Sequence, residues 1–402
     1  MYNNIRVKRW EIILMLIIKN ANLITMAKDN YVLGSIVVKG KKILEVGKDI
    51  DLSKYKDALV IDAKGLFVTP GLVDPHCHIG VMEEGIRFEG NDTNELSGPI
   101  YPELRGIDSL FSKDIAFEYT YRAGITTVNT GPGSANVIGG TFCAIKTFGE
   151  TVEDMIIKEE TAMKMALGEN PKRAYGSNNK NPGTRMASAA LMREWLFKAR
   201  DYHKKLKAFE NKEEDAKEPP FDMKLHSLMR VFDGMIVKIH AHRRDDIMTA
   251  IRIGKEFGLN VTIEHATEAY MIPESIKKSN VSLILGPTLG MASKYELKNK
   301  TYKSAKVLED NDITFAIMTD HPVITLDTTL VQAALFIKEG LSEMKALEAL
   351  TITAAKLNGI EDRVGSLEVG KDADIVVWDG PIFDIMTRTE YVVIDGVIRH
   401  QK

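Results

Sequence analysis

Residues 68–78 read VTPGLVDPHCH. A Pro-Gly turn leads into a short apolar run that closes on two histidines two residues apart. Side chains alternate between faces along an extended strand, so Asp74, His76 and His78 share one side and Cys77 takes the other. Two imidazoles in that register can grip one metal ion. Because HxH is a short pattern, two buried histidines with no ligand role are the lesser alternative, and the choice depends on what the rest of the chain places beside them.

Outward from this segment, residues 71–357 alternate between strand-like and helix-like runs. The helical SKDIAFEYTYRAG (112–124) precedes ITTVN (125–129), and RDDIMTAIRIGKEFG (244–258) precedes LNVTIEH (259–265). Then come VSLILG (281–286), the helical SAKVLEDND (304–312), ITFAIMTD (313–320) and the helical TLVQAALFIKEG (329–340). This rhythm predicts an α/β fold of parallel βα units, as a closed (β/α)8 TIM barrel or an open doubly wound sheet. No Gly-rich phosphate loop follows the first strand, which favours the barrel.

The two ends of the chain read differently. LIIKNANLIT (16–25), SIVV (35–38), KILEVG (42–47), LVID (59–62) and LFVT (66–69) are short β-branched runs. DADIVVWD (372–379), EYVVI (390–394) and VIRH (397–400), with the turn Asp395-Gly396, match them at the other terminus. Neither set can bury a core alone, so 15–70 and 358–402 are expected to form one composite β-sandwich domain beside a barrel domain of 71–357. Residues 172–234 interrupt the barrel rhythm. Met192, Trp195, Leu196, Ala199, Tyr202, Leu206 and Phe209 recur at helical spacing, and the charged run ENKEEDAKEPP (210–220) follows. This reads as an inserted amphipathic helix packed on the outside of the barrel, with a lid over the site as the alternative.

Six of the nine histidines stand at strand ends: His76, His78, His240, His242, His265 and His321. In a parallel barrel all such ends open on one face, where ligands bind. His240 lies deeper in the apolar run MIVKIH and is read as a ligand. His242 shares its parity and is either a substrate contact or a loop histidine. Glu264 has the opposite parity to His265 and is expected to make a structural salt bridge. Asp320, closing ITFAIMTD, can accept a proton from an activated water and return it, or can simply cap the next helix. Three or four imidazoles with one carboxylate suit zinc, and iron or manganese could use the same set.

Composition bounds the partners. The chain has 402 residues, with 53 basic against 56 acidic side chains giving a formal charge of -3, so no polyanion is expected to bind. Two cysteines exclude a disulfide framework and fit a cytoplasmic protein. WEIILMLII (10–18) is too short for a membrane span, is broken by Glu11 and lacks a cleavage site. It reads as strand, with 1–14 as an extra leader before Met15. A small-molecule substrate and a homo-oligomer are the expected partners.

VTPGLVDPHCH, RAGITTV (122–128), KIHAHRRDDI (238–247), TIEHA (262–266), MTDHPV (318–323) and GSLEVGKDADIVVWDG (365–380) together resemble the amidohydrolase superfamily, in its branch of imidazolonepropionase and prolidase-like enzymes. The resemblance implies a distorted barrel with a sandwich built from both termini. It also implies that His76 and His78 bind one metal, that His240 and His265 bind a second, and that Asp320 is metal ligand and acid-base. Members with two metals, zinc being usual, add a bridging carboxylated lysine. Here that is Lys164 in AMKMALGEN (162–170), with Lys146 in FCAIKTF (142–148) as competitor. Imidazolonepropionase-type members use one metal and lack this bridge. The implied reaction is hydrolysis of an amide or cyclic-amide C–N bond. A dipeptidase or carboxypeptidase acting on Xaa-Pro substrates is the alternative, and a non-catalytic scaffold the third. His242, Arg173, Tyr175, Arg243 and His321 are the candidate substrate contacts, with Arg185 and Arg244 nearby; arginine suits a carboxylate-bearing substrate through its paired donors.

Overall fold

The computed structural model describes residues 15–177 and 180–402. The leader expected at 1–14 lies outside the described residues, and Met15–Leu23 opens the chain as a strand. Eight strands form one sheet: β1 (Leu72–Cys77), β2 (Ile125–Thr130), β3 (Ile138–Lys146), β4 (Ile156–Ala166), β5 (Ile236–Ala241), β6 (Val261–His265), β7 (Ser282–Leu285) and β8 (Phe315–Ile317). They pair in sequence order. β1 and β2 are buried along their whole length, as sheet covered on both faces requires. The sheet is a nearly closed barrel of the TIM type, as its alternating pattern predicts.

One strand departs from that pattern. β3 runs antiparallel to both β2 and β4, so residues 125–166 form a meander whose only helix is the short Val152–Met155. The parallel βα rhythm resumes at β4, which pairs parallel to β5.

The edge between β8 and β1 has no ladder and is closed by other means. Asp74 accepts the Thr319 backbone N–H at 2.9 Å and its hydroxyl at 2.6 Å. His78 N–H donates to the His321 carbonyl at 2.8 Å, and Asp320 N–H to the His76 carbonyl at 3.2 Å.

The terminal strands make a second eight-stranded sheet. Ile375–Trp378 pairs antiparallel with Phe67–Pro70, which joins the two ends of the chain. The sandwich expected here is a single hydrogen-bonded sheet whose two halves share one apolar cluster, from Leu16, Ile36 and Ile43 to Ile375 and Val393. The insertion contains the helix Arg185–Glu210, N-capped by Thr184. Met192, Leu196, Ala199 and Tyr202 are its buried stripe, and Phe197 meets Phe257 of the helix Arg244–Phe257 at 4.9 Å between ring centroids. This helix braces the barrel wall. No helix among the described residues is long and apolar enough to cross a membrane.

Candidate metal centre

Two groups of side chains converge at the strand ends: His76, His78 and Asp320 in one, His240, His242 and His265 in the other. Within each, the ligand atoms lie within 4.8 Å of one another. His76 and His78 come from β1 and its end, His240 from β5, His265 from the end of β6, and Asp320 from just past β8. His265, Ala266 and Asp320 all have positive φ, at 71°, 48° and 52°. Non-glycine residues in the left-handed region store strain, and such strain clusters where side chains must be re-aimed. At His265 it overrides strand parity, so Glu264 and His265 both reach the vicinity of His76.

Glu264 does more than the structural salt bridge expected of it. It lies 3.5 Å from the Lys238 ammonium, but its Oε2 also takes the Nδ1 of His76 at 2.5 Å. His78 Nδ1 donates to the Gly131 carbonyl at 2.7 Å, and His265 Nδ1 to the Gly286 carbonyl at 2.9 Å. Carbonyls and carboxylates only accept, so each of these rings carries a hydrogen on Nδ1 and turns Nε2 toward the site.

Two of these Nε2 atoms face a carboxylate. Asp320 Oδ1 lies 3.2 Å from His78 Nε2 and 3.5 Å from His76 Nε2. Burial holds His76 and His265 well below the ordinary imidazole pKa, and His240 at about 4, so all three are neutral at pH 7. The lone pair of the neutral His76 ring, aimed at a carboxylate oxygen, repels it unless a cation stands between them. The donor set therefore fits a divalent ion.

Lys164 is fully buried, and its hydrogen-bond partner is His76 Nε2 at 3.0 Å. Burial lowers its pKa to about 8. Lys146 is enclosed by Asp374 at 2.5 Å, Asp372 at 3.0 Å and Asp395 at 3.5 Å. Its pKa is raised, because these carboxylates outweigh the lowering effect of burial.

A cavity of about 400 Å³ opens over the histidines. Among the expected substrate contacts, His242 and Arg173 line it. His242 also falls in one group with His240 and His265, which a simple loop histidine would not do. The structure does not bring the other expected contacts to the cavity lining. Tyr175 is buried away from the cavity, its hydroxyl donating to the Gly98 carbonyl at 2.6 Å. Arg243 forms a two-pronged pair with Asp245, 2.9 Å on each arm. His321 is buried behind Asp320 toward Tyr119, 6.4 Å between ring centroids, because the backbone turn at Asp320 sends successive side chains to opposite sides. Arg185 pairs with Asp246, and Arg244 does not line the cavity. Lys294, Lys300, Asn94 and Asn170 do line it and carried no recognisable signal in the sequence. The two lysines sit in a charged loop that resembles any solvated segment.

A barrel with imidazoles and an aspartate converging at the ends of its strands defines the class of barrel metallohydrolases. Residues 67–399 match the family model described as the amidohydrolase family, and the chain belongs to that family. The family is generally metal-dependent, in keeping with the histidine groups here. A crystal structure of an amidohydrolase from Thermotoga maritima MSB8 superposes with a TM-score of 0.91 at 39% identity, covering 96% of this chain and all of the other. The amidohydrolase tasK of Hapsidospora irregularis is 29% identical over 90% of this chain; the chain spans only 39% of that relative's length. An imidazolonepropionase of Staphylococcus aureus is 24% identical over 91% of this chain and 89% of its own.

Proposed function

We propose that the protein hydrolyses an amide or cyclic-amide C–N bond in a small molecule that carries an anionic group, using two divalent ions. Zinc suits the donors, and iron or manganese could use the same set. His76 and His78 would hold one ion and His240 and His265 the other, with Lys164, as its carbamate, the shared ligand and Asp320 completing the set. In this reading residues 71–357 carry the chemistry, while 15–70 and 358–402 brace it. The observation that carries the proposal is the convergence of His78 Nε2 and His76 Nε2 on Asp320 Oδ1, at 3.2 and 3.5 Å.

A divalent ion in this place supplies Lewis-acid activation of a water and of a carbonyl. Asp320 Oδ1 accepts the proton of the attacking water and hands it to the departing nitrogen as the tetrahedral carbon collapses. Lys164 suits the bridge because a carbamate forms from a neutral amine, and a pKa of about 8 leaves roughly a tenth of it neutral at pH 7. Lys146, held charged by three aspartates, does not.

Three cationic side chains line the cavity, Arg173, Lys294 and Lys300, against Asp320 as its one acidic residue. Lys294 is paired with Glu296 at 2.8 Å, and Lys300 meets only the carbonyls of Gly290 and Met291. Among the described residues neither Arg173 nor Lys300 has an ion pair, which suits both to take a substrate carboxylate. Met82, Leu289, Leu297 and Pro322 form the apolar wall. The test is metal analysis of the purified chain, followed by assay against N-acyl amino acids, cyclic amides and Xaa-Pro dipeptides, with uncharged amide analogues beside them. Close to two ions per chain and preference for the acids are expected. A chain that binds no divalent ion sinks the proposal.

A further inference from the structure

One buried carboxylate at the centre takes no part in the chemistry proposed above. Glu296 lies in the turn Tyr295–Leu297, between β7 and β8, and is 1% exposed. Its Oε2 accepts the Glu169 backbone N–H at 3.1 Å. Its Oε1 is ion-paired with Lys294 at 2.8 Å and faces His242 Nε2 at 3.6 Å and His240 Nε2 at 3.7 Å. Apart from that ion pair, Glu296 Oε1, His242 Nε2 and His240 Nε2 meet here buried and without a hydrogen bond among the described residues, and His240 Nδ1 likewise has none.

The hydrogen positions follow from the partners. His76, His78 and His265 each have an acceptor at Nδ1, in Glu264, Gly131 and Gly286. His240 has none there among the described residues, and a carboxylate, Glu296, faces its ring on the Nε2 side. An imidazole places its N–H toward a carboxylate, so His240 takes the opposite tautomer from the other three and presents a bare Nδ1. His242 is bound at Nδ1 by the Thr267 hydroxyl at 2.8 Å, which can donate or accept and leaves that ring free to follow Glu296.

We infer that Glu296 is the positioning residue of the second ion site, fixing the tautomer and orientation of His240 from a loop outside the barrel strands. This rests on the proposed assignment of His240 and His265 as ligands. Lys294 holds Glu296 and is itself held by Asn170 Oδ1 at 3.0 Å, and both Lys294 and Asn170 line the cavity. The same loop thus shapes the substrate wall and aims a ligand. Carboxylates and carbonyls behind metal-binding imidazoles do this work generally.

The experiment strips the full-length protein with a chelator and titrates it with Zn²⁺ in competition with a chromogenic chelator. The tautomers are read in parallel from ¹H–¹⁵N spectra of histidine-labelled protein. In the parent, one buried imidazole is expected as the Nε2–H form among Nδ1–H forms. Glu296→Ala is expected to weaken the second equivalent about 10- to 100-fold, leave the first unchanged and remove the Nε2–H signal. Glu296→Gln keeps the shape and a neutral acceptor, so it should restore part of the loss; it decides the matter if the alanine variant does not fold. Two equivalents bound at parental affinity in the folded variants, with the Nε2–H signal intact, overturn the inference alone. A parent that takes up no Zn²⁺ overturns the ligand assignment beneath it.

Discussion

Lys146 and Lys164 stand on neighbouring strands, both buried, and their surroundings are opposite. Lys146 reaches the floor of the barrel, where Asp372, Asp374 and Asp395 of the terminal sheet surround it. Lys164 reaches the mouth, where it meets the bare Nε2 of His76. Strand direction separates them. β3 is reversed, so its last residue, Lys146, pairs with Thr127 near the start of β2. β4 runs with the barrel, and Lys164 near its end pairs with Lys238 on β5. A buried ammonium with three carboxylates stays charged and ties two sheets together. One without them drifts toward the neutral amine and becomes available for chemistry.

The comparison can be broken at either end. The largest effect is expected at the mouth: Asp320→Asn should lower kcat by about 10²- to 10⁴-fold, the usual range for a lost acid-base group. Full activity on a substrate that the parent turns over would remove Asp320 from the proton path. At the floor, Lys146→Met strands the aspartates and should cost about 3–5 kcal/mol, read from urea unfolding, with turnover per folded molecule unchanged. Lys164→Met should act in the reverse sense. The metal-free protein melts no lower than the parent, because a buried amine with no carboxylate partner has been removed, while bound metal falls from about two ions toward one.

The smallest effect is in pH. Lys164 has a folded pKa of about 8, below its unfolded value of about 10.4. Its burial therefore penalises the metal-free fold fully below pH 8, and the penalty is relieved as pH rises toward 10.4. Lys146 is shifted upward, so its contribution is full below its unfolded pKa and is lost as pH rises through the higher folded one. At a fixed concentration of dissolved CO2, recovery of stripped protein should rise about tenfold per unit up to pH 8 and then level. A flat profile between pH 6 and 8 would argue against an amine that titrates there.

Much of this was legible in the amino-acid order. Alternating runs announced the barrel, and matching β-branched runs at the two ends announced the joint sheet. His76, His78, His240, His265 and Asp320 could be picked out because a strand end is a recognisable place. Three things were hidden, each for a physical reason. The reversal of β3 has no signature in a strand buried on both faces, since FCAIK reads the same in either direction. Strand parity misplaced Glu264 because a left-handed turn at His265 breaks the alternation. Glu296, Lys294 and Lys300 lie in a loop whose charge pattern is that of a solvated surface, and only the folded chain brings them over the histidines.

The unlaced edge between β8 and β1 gives the site a mechanical meaning. His76 and His78 stand on one side of that seam and Asp320 on the other. An ion gripped from both sides would act as a clasp between chain positions roughly 240 residues apart, and a ligand that binds only the folded form stabilises it. Emptying the centre would then unfasten the cylinder where it is weakest, so that loss of the ion and loosening of the fold begin at the same few residues.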